Sequence, residues 1–182
     1  STLDQAMDYF HYDIGFAFTK SFRASRIEQE VLRVPGVKAV ESWGFASGRV
    51  LRDARKESED EASKNVCVMA PPIHTQMIKP KIIDGRWLTD GDENALVVNT
   101  DVVKDRPELK VGGPAVIKVG HRRLQFTVVG IAQSTLTGPF AFAPYGWFAG
   151  AVQETGRARS VQIVANSTRE ADQSALARAL EE

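Results

Sequence analysis

The sequence predicts an α+β fold in which a small β-rich subdomain is inserted into a split ferredoxin-like layer. A strand-helix-strand unit opens the chain, a Val- and Gly-rich middle of short strands follows, and a second strand-helix pair closes it. The composition suits such a fold, because 43% hydrophobic and 25% charged residues in a chain of 182 is ordinary globular usage. The expected division places residues 1–80 and 135–182 in the layer and residues 81–134 in the insertion.

Residues 9–18 are rich in aromatic and β-favouring side chains, with Tyr12, Ile14, Phe16 and Phe18 at period two, which predicts a strand. From Phe22 the period becomes helical. Ile27, Val31 and Val34 fall on one stripe, Arg26, Glu28, Glu30 and Arg33 fall elsewhere, and Pro35-Gly36 stops the helix. Val37, Ala39, Val40, Ser42 and Trp43 begin a second strand that ends near Leu51. The run at residues 52–64 mixes charges and holds almost no apolar residue, so it reads as a solvated hairpin tip. Its return strand is residues 65–69, closed by Pro71-Pro72.

In the middle of the chain, residues 95–99 read as a strand, and residues 100–105 as a short helical turn capped by Thr100 or Asp101. Residues 115–119 and 124–131 flank Gly120-His-Arg-Arg123, a hairpin with a polar tip. No acidic or basic residue occurs from 124 to 153, yet Gly130, Gly138, Pro139, Pro144, Gly146 and Gly150 interrupt that stretch. It therefore reads as buried strand, turn and a short helix at residues 145–153, not as a membrane span. Residues 160–165 alternate as a strand. A final helix runs from Thr168, with Ser167 and Glu170 as a capping box and Leu176 and Leu180 as its apolar stripe.

Three motifs in order along the chain resemble one known family. They are Val34-Pro-Gly-Val-Lys-Ala-Val40; Asp84-Gly-Arg-Trp-Leu88 followed by Asp92-Glu-Asn-Ala-Leu-Val-Val98; and Val111-Gly112 leading to Phe126-Thr-Val-Val-Gly-Ile131. Their order and spacing resemble the MacB-like periplasmic core domain of ABC transporter permeases of the MacB/FtsX/LolC type. Two places depart from the family pattern: Gly112-Gly113-Pro114, and Met69-Ala-Pro-Pro72 where a valine-glycine strand end is common. The resemblance implies a porter-like α+β layer with a β-rich subdomain, held outside the bacterial cytoplasmic membrane between the first two spanning helices of a permease. It also implies partners: an ATPase subunit acting through the membrane helices, a second permease copy, and an extracytoplasmic protein. Both chain ends are then expected to emerge toward the membrane.

The resemblance implies no catalytic residue, and the motifs agree. Thr19-Lys20-Ser21 echoes the end of a phosphate-binding loop, but Ile14 and Thr19 stand where glycines must admit phosphate. Gly44-Phe-Ala-Ser47-Gly48 lacks the glycine a nucleophile elbow needs two residues before its serine. Asp90, Asp92 and Asn94 alternate like a calcium loop, but Ala95 replaces its glycine and Asp101 its chelating glutamate. His11, His74 and His121 are dispersed, and Cys67 in Val66-Cys-Val-Met69 reads as a small buried hydrophobe. Asn166-Ser167-Thr168 is better explained as a helix start than as a glycosylation acceptor. Equal numbers of basic and acidic residues, 23 each, weigh against nucleic acid.

The expected sites are accordingly none for catalysis, cofactor or metal, and any functional surface is a protein-contact surface. Two stretches qualify: the hairpin tip at Gly120, His121, Arg122 and Arg123, and the aromatic set Phe140, Phe142, Tyr145, Trp147 and Phe148. Core packing is the expected role of the aromatics. The competing functional reading is a free-standing extracytoplasmic ligand-binding domain, which requires a deep apolar pocket with converging polar groups.

Overall fold

The computed structural model describes residues 10–52, 64–135 and 138–181. Among them the chain runs β1 (Ile14–Arg23), α1 (Ala24–Leu32), β2 (Val37–Val50), β3 (Lys64–Ala70), β4 (Ile82–Gly85), β5 (Ala95–Asn99), α2 (Thr100–Asp105), β6 (Pro114–Val119), β7 (Arg122–Ala132), β8 (Phe140–Phe142), α3 (Tyr145–Ala151), β9 (Arg157–Ala165) and α4 (Glu170–Glu181). The strands form one mixed sheet in the order β1-β9-β2-β3-β8-β5-β7-β4, and β6 joins it by pairing with both β2 and β7. Of the expected charged tip at residues 52–64, residues 53–63 lie outside the described residues, while Lys64 already belongs to β3; the chain ends, residues 1 and 182, also lie outside them.

The long strand β2 organises the whole. Its first half, from Val37 to Trp43, pairs with β9, and its second half, from Gly44 to Val50, pairs with β3. Both β1 and β2 run antiparallel to β9, so they run parallel to each other with β9 between them and α1 as their connection. One apolar cluster covers this end of the sheet. Ile14, Val161, Ile163, Ala165 and Leu176 form it, with Ile27 and Val31 of α1 and Leu180 of α4 packed against it. The helical stripe read from the sequence is therefore the packed face.

Two further clusters lie on opposite faces beyond that end. Val66, Val68, Leu96, Val98, Ile117, Phe126, Val128 and Phe148 belong to one. Trp43, Met77, Leu88, Val97, Ala132 and Phe142 belong to the other. Alternate residues of β5 enter each cluster, so the strand is buried throughout, as its continuous apolar run requires. Strands β3 and β8 and helix α3, from the sequence ranges expected in the layer, share this sheet and these clusters with β5, β6 and β7 from the expected insertion.

Two of the three motifs that carry the family resemblance, those at 84–98 and 111–131, meet in space. Gly85 and Gly130 are register partners, and the Arg86 N–H donates to the Val129 carbonyl at 2.9 Å. A Cβ on Gly130 would lie 2.0 Å from the Arg86 carbonyl oxygen, and one on Gly85 would lie 2.2 Å from that of Val129. Only glycines allow β4 this close to β7. The Arg86 guanidinium then grips Asp92 through two hydrogen bonds of 2.9 and 3.0 Å, and the Thr89 N–H donates to the same carboxylate at 2.8 Å. The Arg86 hydrogen bonds hold the Asp92 carboxyl below the usual carboxylate range.

Several local expectations are corrected. The first strand begins at Ile14, later than residue 9, and continues to Arg23 with its register shifting between Ala17 and Phe22. Tyr12 leaves the stripe it was grouped with and stacks edge-on against Trp43 on the other face, 5.9 Å between ring centres. Helix α2 is capped by Asn99, whose Oδ1 accepts from the Val102 N–H at 3.1 Å, and not by Thr100 or Asp101. At α4 the Ser167 hydroxyl accepts from the Arg169 N–H and donates to Asp172, so Glu170 closes no capping box. Proximity decides each case, because several side chains near a helix start are chemically able to cap it.

Candidate functional site

The two halves of β2 do not exchange partners seamlessly. On the edge facing β9, the last ladder pair is Trp43 with Ser160; on the same edge further along, β6 takes over at the pair Arg49 with Lys118. Between those pairs β2 forms no ladder pair among the described residues on this edge, although β9 itself continues to Arg157. The direction of its backbone groups there follows from the other side. The Cys67 N–H donates to the Pro139 carbonyl at 3.0 Å, and the Met69 carbonyl accepts from the Ala143 N–H at 3.1 Å. Cys67 and Met69 thus spend their backbone groups away from β2, so their register partners Ser47 and Phe45 turn theirs away from β3. The Leu51 N–H, at the same parity, donates across this edge to the Val116 carbonyl at 2.9 Å. Phe45 and Ser47 therefore aim N–H and C=O groups into the gap.

The gap is a cleft of about 630 Å³. Its floor is Phe45, Ala46 and Ser47; one wall is the β6–β7 tip, Val119 to Arg122; the other holds Phe148, Val152, Glu154 and Arg159. Each wall is rigid for a local reason. The β6–β7 turn has only Gly120 and His121 between the strands, with Gly120 at φ +59°, a glycine-first two-residue hairpin. Arg159 is fixed by Glu154, with Nη2 2.6 Å from Oε1 and Nε at 3.0 and 3.2 Å from the two oxygens. Its Nη1 also donates to the Thr19 carbonyl of β1. The hairpin wall is basic throughout: Lys118 stands opposite Arg123, Arg122 and His121 follow at the turn, and residues 114–132 include no acid.

Of the two surfaces expected from sequence, the hairpin tip joins this cleft and the aromatic set divides. Phe142 and Phe148 are fully buried; Trp147 stacks edge-on against Phe126, 5.1 Å between ring centres, and Trp87 stacks on Phe142 in the same way. Tyr145 directs its hydroxyl to the Arg157 carbonyl at 2.7 Å, and burial pushes its pKa up. Thr19 and Ser21 lie in the irregular part of β1, where Arg159 and Arg157 hold their carbonyls. Ser47 lies in mid-strand on the cleft floor, Asp90 pairs with His74 at 3.0 Å, and burial pushes the Cys67 thiol up to about 11. No group of three or more His, Cys, Asp or Glu side chains able to hold a metal occurs among the described residues. Glu154 and Arg159 were not singled out in the sequence, where nothing distinguishes a salt bridge five residues apart from two solvated charges.

No family model matches the chain, and no curated protein matches it. Solved structures do. The extracellular domain of the noncanonic ABC-type transporter YknZ from Gram-positive bacteria superposes with a TM-score of 0.61 at 15% identity, over 92% of this chain and 91% of that one. The periplasmic region of MacB from Actinobacillus actinomycetemcomitans superposes with a TM-score of 0.58 at 12% identity, over 92% of this chain and 81% of that one. The mixed sheet with its few helices is therefore the fold shared by the extracytoplasmic domains of these two transporters.

Proposed function

We propose that this chain is the extracytoplasmic domain of an ABC transporter permease, a non-catalytic module that transmits motion from membrane helices and docks a protein outside the membrane. The observation that supports it most is the near-complete, two-way coverage of the YknZ extracellular domain. In this reading the α1/α4 end is a porter-like, split ferredoxin-like layer, the β4–β8 region is the β-rich part, and β2 carries displacement from one to the other. Export, lipoprotein release and activation of a partner all fit such a lever. An ATPase subunit and a second permease copy are the partners it implies on the membrane side. No helix among the described residues is long and apolar enough to cross a membrane, so the reading requires anchoring helices in adjoining chain.

The test is topological. With Glu108→Cys, at an exposed site, introduced into the full-length protein, a membrane-impermeant maleimide is expected to label intact cells or spheroplasts without lysis. Labelling only after lysis would place the domain in the cytoplasm and end the proposal. The ligand-binding alternative requires a deep apolar pocket with converging polar groups, whereas the cleft at the β2 gap is open and polar-walled.

A further inference from the structure

We infer that residues 18–21 of β1 are a guard built into the open edge of the sheet, and that what they keep off is the β1 edge of a second copy of this chain. β1 is the last strand at the helical end, with no strand on its outer side among the described residues. Such an edge offers unpaired N–H and C=O groups to any other strand, and β1 laid antiparallel against a second β1 makes a symmetric pair. The opposite edge strand, β4, is protected by its brevity, since it spans only Ile82–Gly85. β1 runs from Ile14 to Arg23 and needs another device.

That device is a large bulge. Ala17 pairs with Ser160 and Phe22 with Ala158, so residues 18–21 stand against Arg159 alone, three more than a regular ladder holds. A bulge bends its strand and breaks the even spacing of outward-facing groups that a second strand has to match. Side chains of β9 fix its shape. Arg159 donates from Nη1 to the Thr19 carbonyl, and Arg157 donates at 2.9 Å to both the carbonyl and the hydroxyl of Ser21. Two arginines thus grip alternate carbonyls of the bulge, and Glu154 steadies Arg159 from its other side. The bulge also presents side chains that obstruct pairing: Lys20 is exposed, and Phe18 is 46% exposed and stands edge-on to Phe22 with 5.2 Å between ring centres. The inference does not require the permease reading, but that reading adds weight to it, since two copies working side by side would hold two such edges at high local concentration.

The test removes the guard. Deleting Thr19, Lys20 and Ser21 leaves every β1–β9 pair in register and sets Phe18 against Arg159, which makes β1 a regular edge. By light scattering the unaltered chain is expected to keep one mass over about a hundredfold range of concentration, while the mean mass of the deletion variant rises about twofold, with new amide protection confined to β1. Arg157→Ala combined with Arg159→Ala keeps the surplus residues but frees them; this variant should associate to a lesser degree and exchange the amides of residues 19–22 faster. Folded variants that stay monomeric, association of the unaltered chain through β1, or association through another face would each refute the inference. If the deletion prevents folding, monomeric behaviour of the folded arginine variant alone refutes it. Slow exchange at every amide from Ile14 to Ala17 in the unaltered chain would also do so, because the edge would then already be covered. None of these results bears on the labelling test of membrane topology, so the two readings fail separately.

Discussion

At the start of β2 the sheet is covered by two helices, and α1 buries none of its residues fully. Beyond Trp43 the same strand enters a region where β5 is buried along its whole length and the clusters on both faces are continuous. One end is a thin amphipathic layer; the other is a core closed from both sides. Free energy from burial scales with the apolar area removed from water, so stability concentrates in the β-rich end and compliance in the helical end.

The sharpest way to break this contrast is Gly130→Ala. Its Cβ would meet the Arg86 backbone, which cannot swing aside, so a loss of roughly 3 kcal/mol in chemical denaturation is expected. An unchanged midpoint would show that β4 lifts off β7 easily and that this end is not the stiffer one. Next comes a matched pair of truncations. Leu96→Ala, at a fully buried position of β5, should cost about 3 kcal/mol, whereas Ile27→Ala on half-buried α1 should cost about 1 kcal/mol. Equal costs would erase the distinction between the ends.

A smaller effect comes from acid. Arg86 depresses the Asp92 carboxyl in the folded state, so the unfolded chain binds a proton more readily. The contribution is present at neutral pH, above the unfolded carboxylate pKa, and is lost as pH falls through the folded one. Arg86 is half exposed, which limits the effect to about 1 kcal/mol, and Asp92→Asn should flatten the acid limb of stability by that amount. A steeper acid limb in that variant would reverse the sign and refute the assignment. The smallest effect is Ser42→Ala in the helical end. The buried Ser42 hydroxyl has no hydrogen-bond partner among the described residues, so its removal should change stability by no more than about 0.5 kcal/mol. A large loss would reveal a hidden partner and a tighter layer than the contrast allows.

Much of this contrast was legible in the sequence. The helical stripe of Ile27 and Val31, the short β-favouring runs at β5, β6 and β7, and the apolar pair Leu176 and Leu180 all occupy the faces their spacing implied, and Val34 packs on the same cluster from beyond the end of α1. The glycines at 85 and 130 marked themselves by motif, although only their register shows that they serve each other. The short strand β4 was not read as a strand at all: Asp84 and Gly85 look like a turn, and only β7 at their side makes them a ladder.

Periodicity determined which residues face inward, since the period of a helix or strand is a local property of the chain. The succession of short strands and few helices pointed to a mixed fold of sheet and helices in the same local way. What only the tertiary structure decided is partnership along an edge. Whether β2 changes neighbours smoothly or leaves a gap depends on where its pairing with β9, more than a hundred residues later, ends, and on where its pairing with β6 begins. The cleft exists because those two ladders do not meet. The Glu154–Arg159 pair joins Ser47 and Arg122 only there, because the long-range pairing that brings them together leaves no mark on the spacing of nearby residues.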